Sequence, residues 1–233
     1  MQYDDIRFAR FKDRPNRFTA HVELNGTEET VHVKNTGRCR ELLLPDSRVA
    51  LEKSSNPERK TRYDLISVYK DNLGWVNIDS MAPNAVVKEW LEQGDTPFGE
   101  ITLLKPEFRY GASRVDFYLE CEGRRCLIEV KGCTLERNGT GYFPDAPTER
   151  GVKHLHELAC AAKQGLDCYI AFVIAMPGVE TVHPNLETHP QFGTALEEAC
   201  TAGVKILYLG CEVQPDSIAV SHWKTGVYPE QQP

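Results

Sequence analysis

Residues 111–132 read GASRVDFYLECEGRRCLIEVKG, and the fold is decided here. Val115, Phe117 and Leu119 alternate with Arg114, Asp116, Tyr118 and Glu120, the period-two signature of a half-buried strand, and Leu127 and Ile128 open a second β-rich run. Glu122-Gly123 between them is a turn signal. Antiparallel partners should then have residue numbers summing to about 245, which sets Asp116 opposite Glu129. Lys131 follows two residues on and shares a strand face with Glu129, while Val130 points the other way.

Two carboxylates brought together repel, and hard oxygen donors suit Mg²⁺ or Mn²⁺, which would neutralise them. Such a cation polarises a phosphoryl oxygen and lowers the pKa of a water, while a neighbouring lysine orients that water or steadies developing charge. The same residue types also make an ordinary charged hairpin face, where each cross-strand pair contributes roughly 0.2–1 kcal/mol. The surrounding chain has to decide between the two.

The chain of 233 residues is long enough for one large core or two small ones, and 41% hydrophobic with 26% charged residues is ordinary globular composition. No apolar run approaches the roughly 18 residues of a membrane span, and MQYDDIRFARFKDRPNRF is not a secretory leader. A cytoplasmic protein that does not enter the membrane is expected. Its 8 cysteines are scattered singly with no C-x2-C pair, so reduced thiols are expected rather than a zinc site. Asn25-Gly26 and Asn138-Gly139 are read as turns.

The formal net charge of −7 argues against a chain coated in phosphate-binding charge. The distribution is uneven, however: residues 1–70 hold 14 Lys+Arg against 11 Asp+Glu, the remainder 13 against 23. Any nucleic-acid contact must therefore be local. Arg7, Arg10, Lys12, Arg14 and Arg17 form one basic cluster, Lys34, Arg38 and Arg40 a second, and Lys53, Arg59, Lys60 and Arg62 a third.

Residues 1–80 read as short strands broken by turns: Phe18 to Leu24, Val31 to Val33, Arg48 to Lys53, Tyr63 to Lys70 and Gly74 to Ile78. With no long helix among them, an OB-like β-barrel is the leading expectation, a common platform for nucleic acid. The pattern changes at residue 81. Pro83 and Asn84 begin a helix with the stripe Val86, Val87, Trp90 and Leu91, ended by Gly94. Strands near 101–109, 114–120 and 126–133 follow, then a Gly- and Pro-marked loop and a helix from about Thr148 to Gln164. The apolar run CYIAFVIA, a helix near 193–202 and a strand at 204–209 complete residues 81–233. The order α-β-β-β-α-β-α-β resembles the core of PD-(D/E)XK nucleases, in which an acid on the second strand and an ExK on the third hold the metal.

Three segments, VKNTGRCRELLLP (33–45), YGASRVDFYLE leading to IEVKGCTL (110–135) and FPDAPTERGVKHLHEL (143–158), resemble the sugar fermentation stimulation (SfsA) family along essentially the whole chain. The resemblance implies an N-terminal OB-like domain followed by a PD-(D/E)XK nuclease-like α/β domain. It also implies DNA binding without sequence specificity and a link to the regulation of sugar, notably maltose, metabolism. It assigns Asp116 and Glu129 as metal ligands and Lys131 as the catalytic lysine, with the function a Mg²⁺- or Mn²⁺-dependent phosphodiester hydrolase or a catalytically silent DNA-binding regulator. Val115 stands where the superfamily signature has proline. The literal Pro144-Asp145 is a decoy, expected to shape a loop while Thr148 caps the next helix. Glu89 or Glu107 is the candidate for a further acid. Arg38, Arg40, Arg150 and Lys153 are candidates for the nucleic-acid backbone, with Glu157 as their support and Gly37 at a special backbone angle. A homodimer is expected by analogy alone.

Overall fold

A computed structural model describes residues 1–35, 37–111, 113–226 and 228. The first half forms strands β1 (Ile6–Asn16), β2 (Thr19–Leu24), β3 (Thr27–Val33), β4 (Arg48–Lys53), β5 (Tyr63–Lys70) and β6 (Gly74–Asn77). They hydrogen-bond in the order β3-β2-β1-β4-β5-β6, and a parallel pairing of β3 with β5 closes the first five into a barrel. Alternation drives the closure, since Ala20, Val22, Val31, Val33, Val49, Leu51 and Leu65 all point inward and are fully buried. The β2–β3 turn has φ 53° at Asn25 and 77° at Gly26, the left-handed pair that a two-residue hairpin requires. The barrel expected from the sequence is thus present, with β1 a further strand ahead of those the pattern showed.

Closure rests on two register pairs, His32↔Asp64 and Val33↔Leu65. Asp64 reinforces them. It pairs with His32 Nδ1 at 2.8 Å, and the Arg59 guanidinium donates to both of its oxygens at 2.8 and 2.9 Å. These donors hold the Asp64 carboxyl below its ordinary range although burial pushes it up.

The second half contains α1 (Ala82–Gln93), β7 (Ile101–Tyr110), β8 (Ser113–Cys121), β9 (Arg124–Cys133), β10 (Leu135–Arg137) and β11 (Thr140–Phe143). It continues with α2 (Glu149–Lys163), β12 (Asp167–Ile174), β13 (Val182–Pro184), α3 (Pro190–Thr201), β14 (Lys205–Gln214) and β15 (Ser217–Gly226). The main sheet runs β15-β14-β12-β9-β8-β7, with β12 parallel to both of its neighbours and the rest antiparallel. Helix α1 covers one face against Phe117, Leu119, Ile128, Val130 and Ala171. Helices α2 and α3 cover the other against Leu127, Ile170 and Phe172. The expected series is found with additions. Short β10, β11 and β13 form a small separate sheet within what read as loop, too short to show a period, and β15 lies beyond the last expected strand. No helix among the described residues is long and apolar enough to cross a membrane, and all eight cysteines are free.

The two halves are joined by specific bonds. Asp145 Oδ2 accepts the backbone N–H of Cys39 at 2.7 Å, and the buried Asn77 N–H donates to Ala175 O at 2.9 Å. The decoy aspartate is a strut between domains, and Thr148 caps α2 by accepting from Gly151 N at 3.1 Å. Gly37 lies outside the left-handed region, contrary to the expected special backbone angle. Its need for glycine is space: a Cβ there would sit 2.8 Å from Asn35 Oδ1 and 3.0 Å from Asp145 Oδ2. The first three residues also leave the barrel, with Gln2 bridging Ser217 and Tyr3 N donating to Asp216 O at 2.8 Å.

Candidate active site

The β8–β9 hairpin has the anticipated register. Phe117 pairs with Ile128, Tyr118 with Leu127 and Cys121 with Arg124, around a turn with φ 49° at Glu122 and 75° at Gly123. The ladder stops at Phe117↔Ile128, one step before Asp116. There the strand alternation breaks, because Val115 packs in the α2-side core and Phe117, two residues on, in the α1-side core. Asp116 replaces the lost backbone bond with its side chain. Oδ2 accepts from Val130 N at 2.7 Å and Oδ1 from Asn84 Nδ2 of α1 at 2.9 Å.

Glu129, only 2% exposed, is the centre of a buried charge group. Lys131 Nζ donates to its Oε1 at 2.6 Å, and His154 Nδ1 of α2 makes a very short contact with the same oxygen. Arg150 Nε, one turn earlier, donates to His154 Nε2 at 3.3 Å, which leaves Nδ1 as the protonated nitrogen facing Glu129. Burial pushes the Glu129 carboxyl up, but the His154 hydrogen bond and the Lys131 charge outweigh it and hold the group below its ordinary range. Asp116 goes the other way, raised by burial and by the negative charge of Glu129. The pair are therefore close enough to feel each other, and their environments push them apart, a pattern that recurs at catalytic sites.

The structure brings Asp116, Glu129, Lys131 and Arg150 into one neighbourhood. It does not bring Glu89, which binds the Met1 amine at 2.5 Å. Glu107 falls across from Asp116, between the pairs Pro106↔Phe117 and Phe108↔Val115, yet its φ of 52° turns it out to Arg114 at 3.3 Å. Glu157 accepts from Ser113 Oγ at 2.5 Å and lies 3.7 Å from Lys153, so it ties α2 to the start of β8 while steadying an exposed lysine. Arg38 and Arg40 are exposed on the loop after β3, beside a groove that continues to Ala146 and Pro147. Arg14 is engaged by the backbone instead. Its guanidinium donates to the carbonyls of Arg17, Asn35, Gly37 and Arg38 and so shapes the loop.

Two residues of the site were not anticipated. Asn84 carried no signal beyond its helix-start position. His154 had no assigned role, yet Gly151, His154, Leu155 and Leu158 share the buried face of α2. That spacing of three, one and three residues was readable in the sequence.

An OB-like barrel followed by an α/β domain, with acids on its second and third strands and a lysine beside the second acid, defines the class. The family model described as "SfsA N-terminal OB domain" matches residues 13–78, and that described as "Sugar fermentation stimulation protein RE domain" matches 81–217. The chain belongs to the sugar fermentation stimulation protein (SfsA) family. It is 51% identical over 225 residues to a sugar fermentation stimulation protein homolog of Desulfitobacterium hafniense, covering 97% of each chain. It is 50% identical over 220 residues to one of Clostridium beijerinckii, covering 94% of this chain and 96% of the other. Among solved structures it is similar to Pyrococcus furiosus SfsA, solved in complex with Ca²⁺, with a TM-score of 0.82, 28% identity and 95% of each chain covered.

Proposed function

We propose that this protein binds DNA without sequence specificity and hydrolyses its phosphodiester bonds with Mg²⁺ or Mn²⁺ held by Asp116 and Glu129. The observation that carries the reading is the carboxylate pair itself: Asp116 Oδ2 is bonded at 2.7 Å to the N–H of Val130, the neighbour of Glu129, and burial together with the negative charge of Glu129 raises the proton affinity of Asp116, a strain that a divalent cation would relieve. The donor set fits a hard cation. Among the described residues no protein donor reaches Glu129 Oε2, and no three His, Cys, Asp or Glu side chains are placed to hold a metal by protein ligands alone. Two carboxylates with remaining positions for water and phosphate is the pattern Mg²⁺ prefers. The relative from Pyrococcus furiosus was solved with another hard divalent cation.

When bound there, the metal supplies Lewis acidity toward a phosphoryl oxygen and a water of lowered pKa. The chain supplies the rest. Lys131, 13% exposed and anchored on Glu129, presents an ammonium where the attacking water and the charged phosphate would lie. His154 fixes Glu129 from below, Arg150 fixes His154, and Arg38, Arg40 and Lys153 offer exposed cations to the backbone. Free thiols and a nucleic-acid partner favour a cytoplasmic setting.

A second reading, a catalytically silent DNA-binding regulator of sugar metabolism, is favoured by one feature: Glu129 Oε1 is already occupied, by the Lys131 ammonium and a hydrogen bond from His154. Calorimetric Mn²⁺ titration with a DNA-cleavage assay separates the two. On the first reading the wild type binds Mn²⁺ and cleaves, Asp116→Asn loses the metal, and Lys131→Ala keeps the metal but loses at least 10²-fold in rate. DNA binding without metal uptake or cleavage would establish the silent regulator.

A further inference from the structure

The outer surface of the barrel carries an aromatic cluster that the metal site does not use. Phe8 of β1 is 55% exposed, and its ring centroid lies 5.9 Å from that of Trp75 on β6. Tyr69 of β5 meets Trp75 edge-on at 5.4 Å. The Arg48 guanidinium of β4 lies over both, 5.1 Å from the Tyr69 centroid and 5.6 Å from that of Trp75. Register explains why four strands converge here. Phe8 pairs with Ala50, Arg10 with Arg48 and Tyr69 with Trp75, so these side chains stand on one outward face. Ala50 and Ile66 of the same sheet are covered by the C-terminal domain's core, and Trp75 packs against its edge. Phe8 is left standing at the rim.

From this geometry we infer that Phe8, Trp75, Tyr69 and Arg48 form a stacking platform for the unpaired bases of a single-stranded nucleic acid. An exposed phenylalanine beside two further rings presents π-faces that any base can use, and an arginine adds a planar cation that both stacks and meets phosphate. Charge selects this occupant over an apolar protein segment. Among the described residues Arg48 forms no ion pair, and the neighbouring Arg10 is bonded only to a backbone carbonyl, that of Asp46. Strands 2 and 3, the usual nucleic-acid face of an OB barrel, are unsuited here. Glu23 and Glu28 sit directly across from each other on that surface, and Lys12, 2.9 Å from Glu23, is spent on that pair rather than free for a phosphate chain. The platform rests on the reading of the chain as a nucleic-acid-binding protein and is independent of the metal site.

The test is fluorescence anisotropy of the full chain in EDTA, with labelled oligo-dT, an abasic strand of equal length, and a duplex. Phe8→Ala should weaken oligo-dT binding on the order of tenfold while leaving the abasic strand and the duplex unchanged. Phe8→Tyr should restore it and Phe8→Leu should not. Arg48→Ala should also weaken oligo-dT and reduce the steepness of its salt dependence by about 0.7 in the log–log slope. Wild-type oligo-dT affinity in Phe8→Ala, equal loss on the abasic strand, or a change of oligomeric state in place of any binding change would each overturn the platform. Those outcomes leave the metal-site reading standing if the wild type still cleaves. No binding of any nucleic acid by the wild type would overturn both.

Discussion

At the scale of single residues, the site is a balance between two carboxylates with opposite environments. Glu129 has the lysine and histidine that keep it ionised at 2% exposure, whereas Asp116 has only an amide side chain and a backbone N–H. His154 is therefore more than a helix residue facing inward. His154→Ala would leave Glu129 with Lys131 as its remaining strong donor and raise the carboxyl's proton affinity. The expected cost is about 1–3 kcal/mol of unfolding free energy, measurable by urea denaturation. His154→Ala should also flatten the acid limb of stability: Glu129, held low in the folded state, contributes stability above its ordinary value of about 4.5 and loses it as pH falls through the folded value.

At the scale of elements, the β8–β9 register followed from the turn at Glu122-Gly123, because an αL–αL dipeptide leaves a two-residue hairpin only one pairing. The interruption at Asp116 was not readable, since it arises where the hairpin meets α1 and Asn84. The barrel shows the same division. Alternation identifies its strands, but closure depends on Asp64 meeting His32 across 32 residues and Arg59 from the intervening loop. Asp64 is held below its ordinary value of 3.8, so it contributes stability above that value that is lost as pH falls through the folded-state value. In Asp64→Asn this acid-dependent loss should be absent, and the neutral-pH stability lower than wild type. Circular dichroism melts across the acid range check both.

At the scale of the whole molecule, the two domains act as one frame for a shared groove. Arg38 and Arg40 on the barrel reach the 146–147 segment that leads into α2 and Arg150, so the candidate DNA path crosses the domain boundary. Its alignment depends on Asp145, which binds the N–H of the fully buried Cys39. Asp145→Ala would orphan that donor and should cost about 1–3 kcal/mol. Beyond lost stability, faster proteolysis between the domains and weaker DNA binding are expected while Mn²⁺ affinity holds. Equal loss of metal and DNA binding would count against this role for Asp145.

The amino-acid sequence by itself determined most of the longer elements, the barrel-then-α/β order and the pairing of the D…ExK hairpin. These depend on local periodicity and turn chemistry, which the chain carries in runs of a few residues. Only the tertiary structure decided which polar groups meet. It spent Glu89 on Met1, turned Glu107 outward, made Asp145 a strut, brought Asn84 and His154 to the acids and gathered Phe8, Arg48, Tyr69 and Trp75 from four strands. Most of these contacts join residues far apart in the chain, where burial and charge act through space and leave no period to read.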